Sequence, residues 1–159
     1  MQMPDTYAPP VQRKPIEDAR PYRVSRIINM NDADAEAHFV KDITRKLEGG
    51  SWRWALQRPT IQVMMKSVEN QKFVIDFAIV DATFKDTGPV TLSYYVNDHL
   101  LDKVRYDKTG QQHFEKPVPP DWLKPNQDNT AAAEIDKMWT SSADGAKLGF
   151  VLVRMGFTQ

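Results

Sequence analysis

After Gly50, apolar and polar residues alternate along most of the chain with the period of two that belongs to β-strands. In Lys72–Val80, Phe73, Ile75, Phe77 and Ile79 fall on one side, and Val74, Asp76, Ala78 and Val80 on the other. This puts Phe77 in the core and turns Asp76 toward solvent. Thr60–Lys66 is a short apolar run that begins just after Pro59. Its methionines, Met64 and Met65, read as adaptable core fillers. Val90–Val96 is β-branched and aromatic, and its neighbours Tyr94 and Tyr95 must face opposite sides. Asn97-Asp98 suits the positive-φ positions of a tight turn, so His99–Tyr106 becomes the return strand of a hairpin, ended by Lys108-Thr109-Gly110. Gln112–Val118 forms a further strand, followed by a short helical turn at Pro119–Leu123 and a polar loop at Lys124–Thr130. Ala133–Thr140 and Lys147–Phe157 complete the strands. Both faces of the last are apolar, with Phe150 on one and Val151 on the other, as in a central strand.

The chain before Gly50 reads differently. Residues 1–21 hold five of the eleven prolines and almost no periodic apolar residues, the mark of an extended arm. From Asn31 to Leu47 the pattern favours a helix. Asn31 or Asp32 caps it, Phe39, Ile43 and Leu47 recur every fourth residue, and Gly49-Gly50 stops it. A loop-rich, partly strand-like reading competes. The whole predicts a mostly β, antiparallel sandwich over residues 22–159, with one or two short helices and an N-terminal arm.

Composition narrows the function. Lys+Arg and Asp+Glu are 21 each in 159 residues, and the basic residues are dispersed, which speaks against nucleic acid as a partner. With no cysteine, disulfides, thiolate zinc sites and thiol nucleophiles drop out together. No stretch has the roughly 18 apolar residues of a membrane-spanning helix, and the first residues lack the apolar core of a signal peptide. An extracytoplasmic location is favoured if an N-terminal signal has been removed.

The segments Glu48–Trp54, Val96-Asn97-Asp98 and Leu148–Leu152 resemble the β-sandwich accessory domain of bacterial cell-envelope glycosyltransferases. In that family a glycine-rich turn leads into Trp-Arg-Trp, a strand ends in Val-Asn-Gly, and the last strand carries Leu-Gly followed by alternating apolar residues. Asp98 departs from the pattern, standing at the turn glycine. The resemblance covers roughly residues 48–157. It implies a jelly-roll or galactose-binding-like sandwich of the kind found in carbohydrate-binding modules.

Candidate ligand-binding residues follow from chemistry. On a strand, Trp52 and Trp54 project to one side and Arg53 to the other. Indole faces stack on the apolar faces of pyranose rings, with polar groups nearby for the hydroxyls. The competing reading anchors one or both tryptophans in the core and pairs Arg53 with a carboxylate at the rim. Trp122, beside two prolines, is the better placed for exposure; it too could plug the sandwich end. Trp139, in a strand, reads as core. Asn97 and His99 put polar groups at the hairpin tip.

Catalytic and metal sites find little support. The three histidines, His38, His99 and His113, share no metal-ligand spacing. The carboxylates single out no pair of the kind glycoside hydrolysis holds ~5–10 Å apart. Gly-x-Ser-x-Gly, P-loop and Gly-x-Gly-x-x-Gly motifs are absent. Asn31–Glu36 lacks the central glycine and final glutamate of an EF-hand loop and reads as an acidic helix start, although a structural calcium is compatible with many sandwiches. The expectation is a non-catalytic binding module without cofactor or metal, recognising carbohydrate or a cell-envelope surface. The alternative is a structural or protein-interaction domain, including a homodimer.

Overall fold

A computed structural model describes residues 26–159; the proline-rich arm at 1–21 lies outside the described residues. The alternating segments become strands. β1 (Arg26–Asn29) leads through a 3-10 turn at Ala35–His38 into β2 (Phe39–Ile43), β3 (Arg53–Met65) and β4 (Lys72–Ile79). After helix α1 (Asp81–Thr87) come β5 (Val90–Val96), β6 (His99–Tyr106) and β7 (Gly110–Pro117). A 3-10 turn at Pro120–Trp122 precedes β8 (Gln127–Ile135), β9 (Trp139–Thr140), β10 (Lys147–Leu148) and β11 (Phe150–Thr158).

Hydrogen bonding runs in the order β6-β5-β8-β3-β11-β4-β7, with β1 added on β11 and β2 on β3, and every pairing is antiparallel. The long β3 makes the corner. Its first residues, Arg53–Ala55, pair with β11, whereas Thr60–Met65 pair with β8. One layer is therefore β2-β3-β8-β5-β6 and the other β1-β11-β4-β7. Rings from the two layers meet inside: Tyr94 of β5 stacks on Phe114 of β7 at 3.9 Å, and Phe77 of β4 meets Tyr106 of β6 edge-on at 5.3 Å. The mostly β antiparallel sandwich read from the sequence is what the chain forms.

Phe73, Ile75, Phe77 and Ile79 are buried as one row, Leu92 and Tyr94 face them, and Phe150 is fully covered. Of the tyrosine pair, Tyr94 is in the core, its hydroxyl 2.5 Å from that of Tyr106. Burial pushes both phenols up from the ordinary value of 10.0. Tyr95 faces outward under the Arg58 guanidinium, 4.1 Å from its ring centroid. A register shift between Leu152 and Arg154 swaps the sides of β11, so that Phe150, Leu152, Met155 and Phe157 all reach the same core. Gly156 lies directly under β1, where any Cβ would overlap the Arg26 carbonyl oxygen.

Four local expectations are corrected. The strand expected over Ala133–Thr140 breaks after Ile135 into β8 and β9, and Trp139, expected in the core, is half-buried. The helix expected over 33–47 is a single 3-10 turn followed by β2. Phe39 and Ile43 are four apart, a spacing that shares one face in a strand as well as in a helix, and β3 offers the backbone partners that decide between them. The polar loop at 124–130 gives way to β8 from Gln127 onward, because Met65–Gln62 pair with it regardless of side-chain polarity. Met65 is core, but Met64, on the opposite face of β3, is half exposed.

Candidate functional site

The Glu48–Trp52 turn sets up the first aromatic group. Gly49 and Gly50 take φ of +55° and +71°, and Trp52 and Glu48 exchange backbone hydrogen bonds of 2.7 and 3.1 Å across them. The Trp52 indole lies over Gly49, whose missing side chain leaves it room: a Cβ there would stand 3.2 Å from Nε1. Strand alternation sends Trp52 and Trp54 to the same outward side, their rings edge-to-face with centroids 5.6 Å apart. The β9–β10 hairpin then brings in Trp139, which stacks on Trp54 at 6.4 Å and 30°. All three side chains are half-buried. No hydrogen bond within the described residues uses the indole N–H of any of the three. A half-buried indole normally finds an acceptor, so the group presents ring surface together with unused donors.

Arg53 stands apart from this group. It turns inward and is only 5% exposed. Its guanidinium donates to the carbonyls of Met30 (3.0 Å), Thr44 (3.4 Å) and Arg45 (2.5 Å), with Glu36 at 3.7 Å and the Phe39 ring beneath. These bonds staple the 30–45 segment onto β3.

Asn97, His99 and Trp122 come together at the opposite end of the sandwich, where β5 passes into β6. Asn97 and Asp98 adopt φ of 47° and 67°, the turn expected between these strands. The Asn97 amide donates to the Trp122 carbonyl (2.7 Å) and to Asn129 Oδ1 (2.9 Å), and its oxygen accepts from the Thr130 N–H (2.8 Å). Asn129, fully buried, donates to the carbonyls of Lys124 and Gln127 and accepts from the Lys124 N–H. The exposed His99 ring lies flat on Trp122 at 4.9 Å and 21°. The six candidates are thus divided into an outward tryptophan pair, an inward arginine and a hydrogen-bonded cap.

One titratable cluster escaped the sequence reading. On the outer face of β7-β4-β11, cross-strand register aligns His113, Asp76 and Arg154. His113 Nδ1 lies 2.6 Å from Asp76 and Nε2 3.3 Å from Glu115, while Arg154 donates to the other Asp76 oxygen. The hydrogen bond to Asp76 raises the His113 pKa above 6.5, outweighing burial, with Glu115 adding to the rise. Burial raises that of Asp76, but hydrogen bonds from Arg154 and His113 outweigh it and the net shift is below 3.8. Both histidine nitrogens are engaged by carboxylates on a flat strand face, and the adjoining depression, about 200 Å³, is lined by Asp76, Phe77, Gln111, Gln112 and Val153. Among the described residues no group of three or more His, Asp or Glu side chains is arranged to hold a metal, and no helix is long and apolar enough to cross a membrane.

No protein-family model matches the chain, and no curated protein matches it in sequence. Among solved structures it is similar to a family 35 carbohydrate binding module from an environmental isolate, with a TM-score of 0.49 and 13% identity over 84% of this chain and 93% of that one. A family 35 module from Clostridium thermocellum gives 0.48 and 9%, covering 84% and 97%. The CBM36-1 domain of a multidomain xylanase from the hindgut metagenome of Trinervitermes trinervoides gives 0.47 and 8%, covering 86% and 97%. The likeness is to their sandwich shape, and no functional residue is carried over from it.

Proposed function

We propose that the chain is a non-catalytic recognition module that binds carbohydrate through Trp52, Trp54 and Trp139. The observation that carries this reading is half-buried indole surface from three tryptophans packed on one another, whose N–H groups donate to nothing in the described residues. A sugar ring offers the complement of both, with apolar C–H faces for the rings and hydroxyl oxygens for the N–H groups. The glycine turn and the β9–β10 hairpin hold the indoles against one another, so little side-chain entropy is lost on binding. A glycan at a cell-envelope surface, with the chain outside the cytoplasm, is the setting in which such a module would work.

The apolar side chains left exposed give less support to a protein-docking face. Among the described residues they are Val40 on β2, Leu47 in the loop after it, Met64 on β3 and Leu100 on β6, and single residues spread over four elements are ordinary surface.

Affinity electrophoresis through gels containing soluble neutral polysaccharides tests the proposal. At least one polysaccharide is expected to retard the protein, with Kd in the range of about 1 µM to 1 mM for so shallow a site. Trp52→Ala and Trp54→Ala should migrate freely and remain folded. Retardation that survives both substitutions would remove the tryptophan group from the function.

A further inference from the structure

The end of the sandwich opposite the tryptophan trio holds a second recess. It is a shallow, open depression of about 380 Å³ between the residues entering β4 and those leaving β7, lined by Asn70, Gln71, Pro117, Val118, Pro119 and Pro120. Its two walls are fixed to one another: Lys72 pairs with Pro117, and the Val118 N–H donates to the Gln71 carbonyl at 2.8 Å. The recess is therefore part of the frame, and a ligand would not have to order it.

Its chemistry is one-sided. Three of the six lining residues are prolines, which have no N–H, and the Val118 N–H is already used. None of the six is charged. The inward polar group is Gln71, 1% exposed, whose Nε2 donates to the Ser67 carbonyl at 3.3 Å. Its Oε1 accepts no hydrogen bond from the described residues. Roughly 90% or more of buried polar groups are paired, so a buried carboxamide oxygen without a donor, beside an open apolar wall, marks a place where a donor arrives from outside.

From this we infer a second binding site, separate from the tryptophan group, that takes a single neutral hydroxylated ring such as a pyranose. One hydroxyl donates to Gln71 Oε1, and a C–H face of the ring lies on Val118 and the prolines. With Gln71 Oε1 as the one idle buried acceptor beside the wall, the site fixes a single ring, and the missing charge excludes a uronate or phosphate as the preferred group. The inference stands on Gln71 and the proline wall, and does not require the tryptophan reading to hold.

The test is a titration of the uniformly 15N-labelled full chain with the methyl glycosides of glucose, galactose, mannose and xylose, followed in amide NMR spectra. At least one glycoside should shift the backbone amides of Asn70, Gln71 and Val118 and the Gln71 side-chain NH2, with a Kd of about 1–10 mM. Gln71→Met, which keeps the volume and removes the acceptor, should abolish the backbone shifts. Pro119→Glu, at an exposed extended position (φ −58°, ψ 131°), should weaken them by charging the mouth. Trp52→Ala should leave them unchanged, which separates this site from the tryptophan group. If Gln71→Met does not fold, Pro119→Glu decides. The inference is overturned if no glycoside moves these resonances, if the shifts survive Gln71→Met, or if only proline-rich or aromatic peptides produce them.

Discussion

The two ends of the sandwich hold their tryptophans in opposite ways. At one end Trp52, Trp54 and Trp139 are fixed by packing on one another, and their indole N–H groups donate to nothing in the described residues. At the other, the Trp122 carbonyl is bound by Asn97, its ring is covered by His99, and Asn97 and Asn129 satisfy each other and the turn around them. Both groups contain tryptophan at the surface with an indole N–H that donates to nothing in the described residues, and they differ in what surrounds the ring: other indoles in the first, a hydrogen-bonded backbone cap and a stacked imidazole in the second. A ring left open on a cluster of other rings offers a stacking surface, whereas one covered by a neighbouring ring and tied down through its backbone serves the architecture.

The comparison predicts that damage to the two ends will separate stability from binding. The largest loss of stability should follow Asn129→Leu, which strands the Asn97 amide, the Lys124 N–H and two carbonyls in a buried cap. A loss on the order of 3 kcal/mol is expected, seen in urea unfolding as a lower midpoint at unchanged slope. A near-neutral result would mean that the cap is not the structural element described here. Arg53→Met comes next, at about 2 kcal/mol, because it leaves the Met30, Thr44 and Arg45 carbonyls without their donor. Glycan binding should persist in the folded fraction of both variants. Trp52→Ala should do the reverse, costing about 1 kcal/mol or less at its half-buried position and lowering affinity tenfold or more. Equal losses of stability and binding in that variant would erase the distinction.

How much of this contrast was legible in the sequence depended on whether local pattern or distant pairing decided the outcome. Lys72–Val80 and the Asn97-Asp98 hairpin were readable because alternation and turn chemistry act within a few residues. Phe39 and Ile43 misled because their spacing satisfies two periods at once, and the choice rests with β3, more than ten residues away. Helix α1 went unread: its seven residues are too few to show a period, although Asp81 in its first turn and Gly88 at its end are local signals that were present. The outward tryptophan pair followed from alternation at 52–54, but the third indole comes from position 139, which only the folded chain brings alongside. Arg53 was placed correctly opposite the tryptophans and does meet a carboxylate, Glu36 at 3.7 Å, but it is buried and not at the rim, held by backbone carbonyls to which no sequence pattern points. Gln71 gave no signal, because an idle acceptor is a property of its surroundings.

The smallest predicted effect lies on the outer face between the two ends. His113, raised above 6.5 in the folded chain, adds stability that is whole below pH 6.5 and is lost as pH rises through its folded value. Asp76, lowered below 3.8, adds stability that is whole above pH 3.8 and is lost as pH falls through its folded value. Their joint contribution therefore stands between pH 3.8 and 6.5, and it is small because the imidazole is half exposed. His113→Gln should flatten the decline in stability above pH 6.5 and leave glycan binding at both ends unaltered. A decline that persists in this variant would assign it to another group.

The most direct measurement of the central claim uses the four indole N–H resonances themselves, one for each tryptophan. An 15N-labelled sample is titrated with soluble gluco-, xylo-, manno- and galacto-oligosaccharides while these four signals are followed. An oligosaccharide bound at the tryptophan group should shift the resonances of Trp52, Trp54 and Trp139 together. Binding that leaves Trp52, Trp54 and Trp139 all in place would contradict the account.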